Sequence, residues 1–454
     1  MPTATAQPAS SRRDIKALVS LLLGVIVVTL DISLTSTAIP AISAGLGATP
    51  AKTIWIINIY YLAVIAALLP LAALGEIFGH RRIFLGGLTV FALGCIASGL
   101  SDSLPGLMAS RGLLGMGSAA VSATTPALIK ALYPPDKLSR GLGLYAMVVG
   151  VAFTAGPTVT SAVLSVGPWP WLFLANAPIA LIALGFALWG LPPTQRNVRP
   201  FDPLAALLCA LMFAALLTAV SSLGHLKPIP MLLSLGATLA LGYVLQHREK
   251  GKTAPVLAID LFRIRLFTLS ALTAISSFTV QGLVFVVLPM LFMFNLGYSQ
   301  VDAGLLITPW PATLAIMTFV SAPLCDRFSP GLLGCIGMLI VAVGLTLLAQ
   351  LPGGTTAFDI GWRLVLCGIG FGLFQSPNMV ALMNSAPKER SGSAGGILAT
   401  SRLLGQSIGA ASVAFCLSVF VDSGIEAALW LGVVAALMAA AVSGCRLLPF
   451  AKSS

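Results

Sequence analysis

Fourteen apolar stretches, each of a length that can cross a lipid bilayer, follow one another along this chain. They run over roughly 17–39, 53–74, 83–100, 105–131, 140–165, 171–191, 203–223, 229–247, 267–292, 303–322, 332–351, 361–383, 393–420 and 427–447. In lipid a helix satisfies its own backbone hydrogen bonds, so such a succession folds as a bundle of membrane helices. Only 9% of residues are charged and 57% are hydrophobic. Average soluble chains carry about 25% charged residues, which excludes a soluble globular class. The expectation is an all-α polytopic membrane protein with fourteen transmembrane helices.

An even number of crossings puts both termini on one side. Cytoplasmic loops of membrane proteins collect Lys and Arg, which tests the count. With the N-terminus inside, twenty of the 25 basic residues fall on the inner side. Only Lys52, Lys227 and Arg363 fall outside, and Arg111 and Arg402 lie within helices. This asymmetry accounts for the net charge of +11 without any nucleic-acid partner. The polar leader Met1 to Lys16 precedes an apolar run too long for a signal core, so it reads as the start of an uncleaved first helix.

Other chemistries find little footing. The seven cysteines are scattered without CxxC pairs, as small apolar helix residues would be. His80, His225 and His247 sit near helix ends or in loops with no metal-ligand spacing, so no metal site is expected. No GxxxxGK[ST] loop is present, which argues against drive by ATP, and no embedded catalytic pair suggests an enzyme.

The residues that break the apolar pattern carry the function. Asp31 lies inside the first stretch, followed by Ser33, Thr35, Ser36 and Thr37. A carboxylate at such depth costs roughly 2.5–3.5 kcal/mol on insertion scales and marks a functional site. Arg111 lies about 10 Å below the outer end of the fourth helix, and Asp31 about 12 Å below that of the first. The two can share a level and interact. Polar and aromatic residues at helical spacing suggest a cavity wall: Trp55, Asn58 and Tyr61; Phe278, Gln281 and Phe285; Phe371, Gln375 and Asn378, with Thr35 near Asp31. Arg402 and Gln406, one turn apart, read as structural.

The halves echo each other. Glu76-Ile-Phe-Gly-His-Arg-Arg after the second stretch has a counterpart in Asp326-Arg-Phe-Ser after the tenth. Arg111, Gly115, Gly117 and Pro126 recur as Arg363, Gly368, Gly370 and Pro377. Two equivalent six-helix units with a site at their interface is a frequent transporter plan. The division expected is 1–201, a six-helix bundle; 202–252, two extra helices; and 253–454, a second six-helix bundle.

LDISLTSTAIP, ALGEIFGHRR, SRGLLGMGSAA and GVAFTAGPTVTS resemble the signature stretches of the major facilitator superfamily. Their order, the two added central helices and WPWLFLANAPIA resemble its fourteen-helix drug:proton antiporter family, the quaternary-ammonium and methyl-viologen exporters above all. The resemblance implies the major facilitator fold and a bacterial inner-membrane protein. It implies proton coupling through Asp31 and Arg111, and gating by Glu76, Gly79, Arg81, Arg82, Asp326 and Arg327. It also implies an antiporter motif at Gly150, Gly156 and Pro157. Ala72, Glu76 and Ile77 replace the usual Gly, Asp and Arg of the gating loop, and Thr160 and Ser161 stand where two glycines are usual. The expected activity is proton-driven export of lipophilic cations by a monomer, with no cofactor beyond the proton gradient. The alternative on the same fold is export of a neutral or anionic compound.

Overall fold

The computed structural model describes residues 11–133, 138–194, 202–223, 228–250, 259–325, 327–352, 354–386, 391–420 and 422–447. The described residues are helical with short connections and contain no strand. Helices occupy all fourteen expected positions. They are α1 (Ser11–Thr37), α2 (Trp55–Phe78), α3 (His80–Gly99), α4 (Leu104–Leu132), α5 (Leu138–Val166), α6 (Asn176–Gly190) and α7 (Pro203–Leu223). There follow α8 (Pro228–Glu249), α9 (Arg265–Met290), α10 (Pro309–Cys325), α11 (Pro330–Ala349), α12 (Ala357–Ser385), α13 (Ser391–Val419) and α14 (Gly424–Gly444).

Twelve helices among the described residues are long and apolar enough to cross a membrane. The two positions not among them are α7, a 21-residue helix whose described apolar part covers Pro203–Ala219, and the 17-residue α10. The expected segment 303–322 is broken at Thr308, between the short helix Gln300–Ile307 and α10. Pro309 and Pro311 lack the N–H groups that would continue the helix across that point.

Capping fixes where several helices begin. The Ser103 hydroxyl accepts from Gly106 N–H, and Ser329 from Leu332 N–H. Thr356 and Asp359 form a reciprocal capping box at the start of α12. Gly79 joins α2 to α3 at φ 94°, a conformation that favours glycine, so the chain reverses there without strain.

Helix pairings repeat between the halves. In the first, α1 packs on α4, α5 and α6; α4 on α2 and α3; and α3 on α6. In the second, α9 packs on α12, α13 and α14; α12 on α10 and α11; and α11 on α14. The halves meet where α2 contacts α13, α5 contacts α10, and α1 contacts α9. The inserted α7 lies against both α2 and α13, while α8 packs on α7. Arg248 at the end of α8 grips Asp202 before α7 with two hydrogen bonds of 3.0 and 3.1 Å. The rest of α8 turns Ile229, Leu232, Leu239 and Tyr243 outward, as a lipid-facing helix does.

Candidate functional site at the centre of the first half

Asp31 and Arg111 meet as the spacing argument expects. Arg111 Nη1 donates to Asp31 Oδ2 at 2.6 Å, and both side chains are 1% exposed. The guanidinium lies over the Tyr60 ring, 4.5 Å from its centroid, and 5.5 Å from that of Phe173. Four segments thus converge: α1 supplies the acid, α4 the base, and α2 and the short helix Trp171–Leu174 supply aromatic faces. Ring faces attract a desolvated cation, which offsets part of the cost of burying it.

The pair is incompletely satisfied. Asp31 Oδ1 and Arg111 Nε are buried with no hydrogen-bond partner. A bidentate fork would have used more of the guanidinium's donors. The carboxylate therefore keeps one oxygen able to take a proton. Protonation would remove the charge that holds Arg111, so this arrangement can convert a proton into the release of a helix–helix contact.

The local backbone beyond Asp31 is weakened by its own hydroxyls. Thr35 Oγ1 donates to Asp31 O at 2.8 Å, Ser36 Oγ to Ile32 O at 2.9 Å, and Thr37 Oγ1 to Ser33 O at 3.0 Å. Such bonds back to the preceding turn compete with the helical ladder, and α1 ends at Thr37. Thr35 is buried and serves this turn.

The Gly156-Pro157 stretch of α5 packs directly beside this turn. An added Cβ on Gly156 would collide with the Ser33 side chain. Ser33 Oγ in turn donates to Phe153 O at 2.9 Å. Thr160 and Ser161, in place of the usual glycines, are buried and return their hydroxyls to Gly156 O and Pro157 O. Beyond them Thr158 and Thr308 share a hydroxyl hydrogen bond of 2.9 Å, and Gly304 sits against Ser161. This joins the halves at the end of the bundle away from the termini. Gly150 is half-buried farther along α5.

The expected cavity residues divide. Trp55 and Gln375 are half-buried, and Asn58 and Tyr61 are buried, with Asn58 Oδ1 unpartnered. Phe278 and Phe285 are buried in an aromatic cluster: Phe285 meets Phe153 of α5 edge-on at 5.0 Å and Trp310 at 6.2 Å, and Phe278 meets Phe371 at 5.9 Å. Gln281 accepts from Gln406 Nε2 at 3.0 Å, and both are buried. One expectation needs correction. Asn378 does not face a cavity: its Nδ2 donates to Ser270 O at 3.1 Å and its Oδ1 accepts from Arg446 at 2.9 Å.

Arg446 is itself a surprise. At the very end of the last apolar stretch it counts among the twenty basic residues of the inner side, yet it is 7% exposed. Besides Asn378 it donates to Ser270, Thr273 and Ser443 hydroxyls. The available signal was the set of small polar residues at matching depth on α9, α12 and α14. Tyr60 and Phe173 were also missed, since an aromatic in an apolar run carries no mark of the cation it faces.

The described residues among those expected to gate lie at the end of the bundle that carries α1's start. Arg81 donates from Nη2 to Leu188 O at 2.7 Å, at the C-terminal turn of α6, where a cation meets the negative end of the helix dipole. Its backbone N–H reaches Thr194 Oγ1 at 3.3 Å. Arg82 and Arg327 are exposed. Asp326 and the side chain of Glu76 lie outside the described residues. Arg363 is not a spatial counterpart of Arg111. It donates to Asp359 O at 2.6 Å on its own helix and stacks on Trp362. The reason is register. Gly115 backs onto Tyr60 and Gly368 onto Trp310, and counting back from those glycines puts Leu364, not Arg363, at the place of Arg111. One residue turns a helical side chain by about 100°.

The fold and the embedded ion pair define a membrane transporter rather than an enzyme. Residues 21–410 match the family model of the Major Facilitator Superfamily, and the chain belongs to that family. It is 42% identical to the uncharacterized transporter YebQ of Escherichia coli, over 95% of each chain. It is 30% identical to the tetracenomycin C resistance and export protein of Streptomyces glaucescens, over 91% of this chain and 78% of that one. A solved bacterial homolog of the human lysosomal transporter Spinster, inward-facing and unoccupied, superposes with a TM-score of 0.72 at 16% identity. It covers 96% of this chain and 97% of its own.

Proposed function

We propose that this protein is a proton-coupled exporter of small lipophilic compounds, working as an antiporter by alternating access. The observation that carries the reading is the buried Asp31–Arg111 pair with its unpartnered carboxylate oxygen. Proton binding at Asp31 from the outer side frees Arg111, loosens α1 from α4, and favours the other conformation. Loss of the proton inside restores the pair. The Gly156-Pro157 contact with Ser33 transmits the change in α1 to α5 and, through the Thr158–Thr308 contact, to the other half. Export itself is supported by relatives named for multidrug resistance and for tetracenomycin C export.

In this reading 1–201 and 253–454 are the rocking units, 202–252 lies between them, both termini are cytoplasmic, and a monomer in a bacterial inner membrane is sufficient. Glu76, Gly79, Arg81, Arg82, Asp326 and Arg327 form the latch at the cytoplasmic end. Lipophilic cations are the substrates that the sequence resemblance favours. One observation favours the second class, neutral or anionic compounds: Asp31 is already neutralised by Arg111, so the described bundle interior offers a cation no unpaired carboxylate.

The test uses inverted membrane vesicles with an imposed proton gradient and a panel of dyes, quaternary ammonium compounds and organic acids. Substrate-driven proton release in wild type that vanishes in Asp31→Asn is the expected result. Undiminished release from the mutant would remove Asp31 from the coupling step.

A further inference from the structure

Arg402 stands apart from the other embedded charges among the described residues. It lies within α13, half-buried, in a 29-residue helix. Among the described residues no hydrogen bond or ion pair engages it, although Arg111 and Arg446 are both engaged. A desolvated arginine normally finds a partner, because its five donors are costly to leave unmet.

Its position places it at the seam between the halves. α13 packs on α2 and on α9. One turn further along, Gln406 pairs with Gln281, and the backbone of Gly405 closes on Ile275 and Phe278 of α9. On the α2 side, Leu69 lies beside Gly396. Arg402 therefore sits on the half opposite the ion pair, in the helix that faces α2 across the seam.

Charge counting then decides what that region can hold. Among the described carboxylates only Asp31 lies in the middle of a spanning helix; Asp102, Asp202, Asp260, Asp302, Asp359, Asp422 and Glu426 lie in loops or at helix starts. Asp31 is taken by Arg111. Among the described residues, α13 thus carries at this seam a positive charge that no described carboxylate balances, and such a charge repels a like-charged guest and attracts an anion. The planar guanidinium suits a carboxylate, which it can hold through two parallel N–H···O bonds.

We infer that Arg402 is the docking point for the carboxylate of an organic-acid substrate, held at the seam between α2 and α13. The inference rests on the exporter reading and specifies its substrate class.

The test measures binding to the full-length protein in detergent by thermal shift, using aromatic carboxylates such as 1-naphthoate, each beside its primary amide and its amine. The carboxylates are expected to stabilise wild type while amides and amines do not. Arg402→Gln should weaken carboxylate binding roughly 10- to 100-fold, the range for a hydrogen-bonded charge partner, and Arg402→Lys should recover part of it. Wild-type binding of the amides or amines equal to that of the acids, no acid binding at all, or full acid binding by Arg402→Gln would each overturn the proposal. A readout that needs no variant is phenylglyoxal labelling of wild type followed by mass spectrometry: 1-naphthoate should protect Arg402, and unchanged labelling counts against it. The two readings fail separately. Proton exchange driven only by amines leaves an exporter and removes Arg402 as the docking point. Acid binding lost in Arg402→Gln, without any proton movement in vesicles, removes the exporter and leaves the binding site.

Discussion

The two halves of this protein share a helix-packing scheme but fill its centre differently. Gly47 and Gly297 both turn the chain at positive φ, 59° and 72°, and Asp31 and Gln281 stand equally far before them. Where the first half puts Asp31, the second puts Gln281. Where the first puts Tyr60 and Arg111, the second puts Trp310 and Leu364. The result is a buried ion pair on one side, and on the other an amide pair beside the rings of Phe285, Trp310 and Phe371. One backbone scheme thus supports a site that can gain or lose charge and a site that cannot. Among the described residues, the duplicated fold keeps a carboxylate in mid-helix in one half only.

The comparison breaks most sharply at the ion pair. Arg111→Gln leaves a buried carboxylate alone and should destabilise the protein by roughly 3–5 kcal/mol, read as a lower melting temperature, with loss of proton coupling. Adding Asp31→Asn to that background should recover much of the stability and none of the coupling. If the double mutant couples normally, the charged half is not the titrating half. Next in size is Gly156→Val. The new side chain must displace Ser33 and the α1 backbone, an overpacking cost of roughly 1–3 kcal/mol, visible as reduced yield of folded protein.

In the second half the effects stay below that of the ion pair. Gln281→Leu leaves the Gln406 amide buried without its partner and should cost about 1–3 kcal/mol, while Gln281→Leu with Gln406→Leu should be close to neutral. A double mutant as damaged as the single one would show that the amides do more than satisfy each other. Smallest is Arg363→Ala. Its contact with the half-exposed Asp359 spans 3.8 Å, and losing it should change the melting temperature by no more than about 1 kcal/mol implies. An effect as large as that of Arg111→Gln would mean that the two arginines are equivalent after all.

Much of the architecture was legible because its cause is local. Apolar length sets which segments become helices, and hydroxyl and acid caps at Ser103, Ser329 and Thr356 set where they begin. Asp31 and Arg111 were legible as partners because both interrupt apolar runs at matching depth. The repeat was legible in Gly115 and Gly117 against Gly368 and Gly370. The Arg111–Arg363 correspondence failed because it depends on helical phase, and one residue of offset between arginine and glycine is enough to turn a side chain away. The burial of Arg446 was not legible for a related reason: a place at the end of an apolar run does not report which neighbours close over a side chain.

The sequence by itself determined the helical bundle, its repeated halves and the identity of the one embedded acid, since each follows from hydrophobic length and from the cost of a charge in lipid. Only the tertiary structure decided which charges neutralise each other and which is left over. Asp31 is held by Arg111, Arg446 by neutral oxygens, and Arg402 by no described residue. That outcome depends on angstrom-scale distances between helices far apart in the chain, and a Coulomb or hydrogen-bond partner exists only at those distances.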